Sequence, residues 1–268
     1  MTPPFLDLPQ RSAKPRERGI THVLDSGLSV AEVESLIEVA GAAVDLVKLG
    51  WGTAVVTENL DAKLACYRAH GIPVVLGGTL TELAIAQDRV DELVAWLREL
   101  GLTYVEISDG AIELPHERKL ALIERLAADG FTVLSEVGSK DAAHIMAPYV
   151  WVEQIESELA AGAWKVIAEA RETGTAGIYR ADGEVRMGLI DEIAHAIPIE
   201  RLLFEAPRKD QQVWFLQRFG HEVNLGNIAP RDVLSLETLR LGLRADTVAP
   251  SPSHAGRAVA ASEERAPR

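Results

Sequence analysis

The sequence predicts an α/β protein, a single-domain (β/α)₈ TIM barrel, and three observations predict it. Eight short apolar, β-rich runs alternate with longer amphipathic helical patterns. Several of those helical patterns close on a glycine just before the next apolar run. Nearly every apolar run is followed by polar or charged residues, as in barrels whose site lies at the C-terminal ends of the strands.

In chain order the predicted strands are Ile20–Leu24, Val44–Leu49, Pro73–Leu76, Thr103–Ile107, Phe131–Ser135, Trp164–Ala168, Arg201–Phe204 and His221–Leu225. Each is short and dense in β-branched, leucine or aromatic residues, the composition of a strand covered on both faces. Helical periodicity fills the intervals at Val30–Ala40, Leu60–His70, Val90–Leu100, Glu117–Asp129, Ile155–Ala161, Leu189–Ala196, Gln211–Phe219 and Pro230–Leu243. Gly71, Gly101, Gly130, Gly162 and Gly220 stop these patterns, because glycine takes the left-handed turn after a helix without steric cost. Regular βα alternation implies a parallel sheet, and eight units favour a closed barrel over an open one. A doubly wound dinucleotide fold would carry a Gly-rich turn after its first strand; Asp25-Ser26-Gly27-Leu28 is not one. Residues 1–18, rich in proline and charge, read as an extended arm. Residues 19–248 form the barrel, and 249–268 lack apolar periodicity and read as a disordered tail.

Composition narrows the function. With 47% hydrophobic and 25% charged residues, the 268-residue chain can bury one large core, and 5% aromatics means aliphatic packing. A formal net charge of −13 argues against nucleic acid or an anionic membrane as partner, since both need a basic face. Small anionic substrates stay open, because a few local cations suffice for them. No apolar stretch reaches bilayer length and the N-terminal residues lack a signal-peptide core, which predicts a soluble cytoplasmic protein. The one cysteine, Cys66, allows no internal disulfide or thiolate cluster and reads as an inert helical thiol. No HExxH, Walker A or GxSxG pattern occurs. The oligomeric state is open, a homo-oligomer included.

In a barrel the strand ends meet at one mouth. Asp25 ends the first strand and Lys48 the second; Gly77-Gly78-Thr79 follows the third, and Glu106, Ser108 and Asp109 close the fourth. Glu136 and Lys140 come with the fifth, Glu169 and Arg171 with the sixth, Glu205, Arg208 and Lys209 with the seventh, Asn224 and Asn227 with the eighth. One acidic residue after a strand is ordinarily a helix N-cap. Carboxylates beside nearly every apolar run are different, because burying each one unpaired is costly. Facing Lys48, Lys140 and Arg171, the residues Glu106, Glu136, Glu169 and Glu205 make either a salt-bridge lattice or a hard-cation site suited to Mg²⁺. Gly77-Gly78 and the Leu225-Gly226-Asn227 turn can each present backbone N–H groups to an anion, the second at a frequent phosphate position. His22 reads as a satisfied structural histidine, and Trp51 as either a pocket wall or loop packing.

Ile20-Thr21-His22-Val23-Leu24-Asp25, Asp45-Leu46-Val47-Lys48-Leu49-Gly50-Trp51-Gly52-Thr53, Gly77-Gly78-Thr79-Leu80 and Val105-Glu106-Ile107-Ser108-Asp109-Gly110 resemble the phosphosulfolactate synthase family. So do Ser135-Glu136-Val137-Gly138, Glu169-Ala170-Arg171-Glu172-Thr173-Gly174, Phe204-Glu205-Ala206-Pro207 and Leu236-Glu237-Thr238-Leu239-Arg240. The resemblance runs in order from about residue 16 to 247 and touches every strand. The family is also similar to plant heat-stress-associated proteins. The resemblance implies a lyase that adds sulfite to C3 of phosphoenolpyruvate with Mg²⁺, giving (2R)-3-phosphosulfolactate on the way to coenzyme M or sulfolactate. It implies Lys140 as proton donor, with Lys48 the next catalytic candidate. Asp25, Gly77, Gly78, Arg171, Arg208, Lys209, Gly226 and Asn227 are then candidates for binding substrate, and Glu106, Glu136, Glu169 and Glu205 for holding the metal.

Two other readings stand beside this one. A phosphoenolpyruvate enzyme with another nucleophile is suggested by Ser26 and Ser139. A non-catalytic stress-associated barrel is the other, and the charges at the strand ends count against it, because a scaffold has no need of them.

Overall fold

The structure, a computed structural model, describes residues 5–138 and 146–248; Ser139, Lys140 and the tail 249–268 lie outside the described residues. The strands are β1 (Thr21–Asp25), β2 (Leu46–Leu49), β3 (Val74–Leu76), β4 (Tyr104–Ile107), β5 (Thr132–Val137), β6 (Lys165–Ala168), β7 (Leu202–Glu205) and β8 (Leu225–Ile228). The helices are α1 (Val30–Ala40), α2 (Thr53–Val56), α3 (Leu60–Ala69), α4 (Gly78–Ala86), α5 (Val90–Glu99), α6 (His116–Ala128), α7 (Pro148–Ala160), α8 (Met187–Ala196), α9 (Lys209–Phe219) and α10 (Val233–Arg240). All strands pair in parallel in the order β3-β2-β1-β8-β7-β6-β5-β4, so the first strand lies against the last and the sheet curls into the predicted barrel. The seam between β3 and β4 is bridged from α4, where the Gly78 N–H and the Thr81 hydroxyl reach Glu106 at 2.7 and 2.8 Å.

Strand alternation makes two cores. Inward residues Ile20, Leu46, Val75, Leu134, Ile167 and Leu203 plug the barrel, while outward residues such as Val23, Val47, Val133 and Phe204 pack under the helices. Side chains repeat every second residue, so the next inward positions fall on His22, Lys48, Gly77, Glu136, Glu169 and Glu205. The barrel is therefore apolar below and charged above. Among the described residues no helix is long and apolar enough to cross a membrane.

Three predicted elements are corrected. The eighth strand begins at Leu225 rather than His221. Asn224 is the cause: its Oδ1 accepts from the Ile20 N–H at 3.0 Å and its Nδ2 donates to the Leu202 carbonyl at 2.8 Å, so a side chain takes the ladder's places. Arg240 meanwhile claims the carbonyls of His221 and Val223. Gly77-Gly78-Thr79 is no simple turn but the start of α4, and α7 begins at Pro148, whose fixed φ suits the first helical turn.

The N-terminal arm is bound across the N-terminal end of the barrel. Arg11 donates to Glu222 at 2.6 Å, Glu237 at 3.0 Å and the Gly19 carbonyl at 2.7 Å. Arg16 pairs with Asp45 at 2.7 Å, and the Glu17 carbonyl accepts from Lys165 at 2.7 Å. Arg240 is buried beneath, and its burial together with the Arg11 charge holds its pKa down to about 9. Arg11→Ala leaves Glu222 and Glu237 short of their cation, an expected loss of about 1.5–3 kcal/mol for hydrogen bonds to charged groups. Urea unfolding reads it as a lower midpoint at unchanged slope. A midpoint equal to wild type would show that the arm contributes nothing.

Candidate active site

The charged layer opens into a cleft of about 220 Å³ at the C-terminal end of the barrel. Strand register brings Lys48 of β2 together with Glu106 of β4, Glu136 of β5, Glu205 of β7 and Glu169 just past β6. The Lys48 ammonium lies 3.1 Å from Glu205, 3.3 Å from Glu106 and 4.0 Å from Glu136. Burial alone pushes its pKa down, but Glu106, Glu205, Glu136 and Glu169 outweigh burial and hold it well above the ordinary lysine value. Of the lattice and the hard-cation site that the sequence leaves open, the structure displays the ion pairs of Lys48, which is their hub.

Backbone amides complete the arrangement. The Gly78 N–H donates to Glu106, the Ala170 N–H to Glu205 at 2.9 Å and the Arg171 N–H to Glu169 at 2.6 Å. A side chain at Gly78 would overlap the Ser108 hydroxyl, so only glycine brings that amide against Glu106. Trp51, Arg171 and Asn227 all line the cleft, and all three hold left-handed backbone, with φ of 53°, 57° and 54°. Such conformations are disfavoured for L side chains, and three at one cleft mark a place where shape outranks local comfort. Trp51 walls the cleft with 57% of its surface exposed.

Glu205 is pushed up to about pKa 7, first by burial and then by Glu136 and Glu106, against the pull of Lys48. Its folded pKa lies above that of an unfolded glutamate near 4.5, so between those values the folded chain keeps a proton that the unfolded chain has released. Stability is expected to fall as pH rises from about 4.5 through 7, and Glu205→Gln should flatten this slope in urea titrations across that window. An unchanged slope in that variant would remove Glu205 as the cause.

The cleft gathers Lys48, Gly77, Gly78, Glu106, Glu136, Glu169, Arg171, Glu205 and Asn227, but not every predicted residue. Asp25 is corrected: its two oxygens accept from Gly27, Leu28, Tyr67 and Lys63, an outward bracket that ties β1 to α3. Arg208 pairs with Asp210 at 3.1 Å and Lys209 with Asp246 at 2.8 Å, both on the exposed start of α9, so neither lines the cleft. Gly226 lies behind the wall, packed on Leu203 and His22. Lys140 falls outside the described residues. His22 is also corrected: it is fully buried, and neither ring nitrogen has a hydrogen-bond partner among the described residues. Burial and then Lys48 hold its pKa well below the usual histidine value, so it stays neutral. Glu172 lines the cleft and was missed, although it follows Arg171 in a motif that the sequence displays.

The donor set suits a hard cation. Five carboxylates, Glu106, Glu136, Glu169, Glu172 and Glu205, face two cations, Lys48 and Arg171, among the described lining residues. No three acidic, histidine or cysteine side chains among the described residues converge as a ready-made cage.

The family model described as (2R)-phospho-3-sulfolactate synthase (ComA) matches residues 9–246. A phosphosulfolactate synthase of Bacillus subtilis (strain 168) is 44% identical over 245 residues, covering 90% of this chain and 97% of that protein. A phosphosulfolactate synthase of Methanothermobacter thermautotrophicus is 42% identical over 245 residues, covering 90% and 95%. The Arabidopsis thaliana protein HEAT-STRESS-ASSOCIATED 32 is 24% identical over 261 residues, covering 88% and 90%.

Proposed function

The chain belongs to the phosphosulfolactate synthase family, and on that premise we propose that it is a cytoplasmic lyase joining sulfite to C3 of phosphoenolpyruvate, with Mg²⁺, to give (2R)-3-phosphosulfolactate. The observation that supports this reading is the excess of carboxylate over cation in the cleft. An anionic substrate would be repelled there unless a divalent cation accompanied it.

Glu136 of β5 and Glu169, just past the adjacent β6, would hold the Mg²⁺, while Glu106 and Glu205 engage Lys48. Bound there, the cation supplies Lewis-acid stabilisation of charge gathering on the substrate carboxylate. Arg171, exposed at the rim with its N–H turned to Glu169, offers a planar guanidinium to the phosphate. The sulfur lone pair of sulfite forms the new bond to C3, and the C2–C3 π pair moves toward C2 and the carboxylate. One proton then reaches C2, and no group leaves. Lys140, three residues after Val137 in the sequence, is the donor that the resemblance implies. Lys48 is a poor acid, because its carboxylates hold the proton tightly; its work is to keep those carboxylates together.

Purified protein incubated with phosphoenolpyruvate, sulfite and Mg²⁺ is expected to give phosphosulfolactate by mass spectrometry. Excess chelator should abolish the product and added Mg²⁺ restore it. Folded protein that makes none with Mg²⁺ present would overturn the reaction, and full turnover in chelator would overturn the metal.

A further inference from the structure

The β4–β5 ladder ends at Ile107 with Ser135, one residue short of Glu136, while β5 stays paired with β6 through Glu136 and Val137. Side chains from outside the strands bond the carbonyls of three cleft glutamates. The Thr81 hydroxyl donates to the Glu106 carbonyl at 2.8 Å, the Lys119 ammonium to the Glu136 carbonyl at 2.6 Å and the Tyr179 hydroxyl to the Glu205 carbonyl at 2.7 Å.

Lys119 is the most constrained of the three. It lies on α6, 1% exposed, and also pairs with Glu158 of α7 at 2.9 Å and with Asp109, past β4, at 3.3 Å. Glu158 in turn accepts from the hydroxyl of Ser135, the strand neighbour of Glu136. Ser135 faces the helices while Glu136 faces the cleft, so the network grips two consecutive residues of β5 from behind. Burial pushes the Lys119 ammonium toward neutrality, and Glu158 and Asp109 outweigh that and keep it charged. A buried ion pair is often no more stabilising than apolar side chains of similar volume, so stability alone does not account for it. Geometry does.

We propose that Lys119 is a positioning residue which, through the Glu136 carbonyl and the Ser135–Glu158 contact, sets where the Glu136 carboxylate stands in the cleft. The inference rests on reading that cleft as the active site.

Lys119→Met combined with Glu158→Gln removes the network without leaving a buried charge. The double variant is expected to melt within about 5 °C of wild type. Its KM for phosphoenolpyruvate should stay within about threefold while kcat falls about 10–100-fold, the scale of a misplacement of about 1 Å. A kcat within about twofold of wild type would overturn the inference whatever happens to stability. Should the double variant not accumulate folded, Lys119→Arg keeps the charge beside Glu158 but shifts the donor from the Glu136 carbonyl, and the same kcat criterion applies. Wild-type protein that makes no product counts against the reaction alone. Crystal structures then decide the inference: a Glu136 carboxylate displaced by about 1 Å or more supports it, and one in its wild-type place overturns it.

Discussion

Lys48→Met is expected to melt far below the wild type and to be inactive. The ammonium is 7% exposed and faces Glu106, Glu205 and Glu136 within 4.0 Å, so removing it leaves buried carboxylates without their counter-charge. Breaking a buried pair in this way costs about 3–5 kcal/mol, because the surviving charge stays desolvated. At about 2–4 °C per kcal/mol for a chain of this size, the melting point should drop by roughly 6–20 °C. Adding Glu205→Gln should return much of that stability, since one stranded carboxylate is gone, without returning activity. A single variant that melts with the wild type would show that the carboxylates are not held by Lys48, and the account of the cleft would fail with it.

The second large effect belongs to Lys140. If it delivers the proton to C2, Lys140→Ala should lower kcat about 10²–10⁴-fold, the usual scale for a positioned acid, with substrate affinity much less changed. If it only grips phosphate, KM should rise with kcat largely kept. Lys140→Arg separates the two further, because arginine keeps the charge but does not readily release a proton. Near-normal turnover in the arginine variant would exclude the donor role and leave Lys140 as an anion clamp.

The apolar-then-charged rhythm of the strands was legible because a strand repeats every two residues. Leu46 and Lys48, Leu134 and Glu136, Ile167 and Glu169, and Leu203 and Glu205 each place a barrel plug and a cleft charge on one face. The family was legible separately, from the resemblance of the motifs around these residues. Where the reading missed, a side chain had replaced a backbone partner. Asn224 substitutes for the ladder at the start of β8, and its polarity alone, read as belonging to the strand end, does not reveal which backbone groups it takes. Asp25 has the same sequence signature as the cleft glutamates, yet β1 turns it outward onto Lys63 and Tyr67.

By itself the sequence determined the barrel, the end of it that carries the charges and the family to which it belongs, because periodicity and motif order are properties of neighbours along the chain. Only the tertiary structure decided which charges share a cleft. Asp25, Arg208 and Lys209 also follow strands, but their partners Lys63, Asp210 and Asp246 hold them elsewhere. It likewise decided that Lys48 is a hub, that His22 is buried and neutral, and that Lys119 stands behind Glu136. Such pairings depend on distances between residues far apart in sequence, and a buried charge is placed by whichever opposite charge or dipole the fold brings within reach.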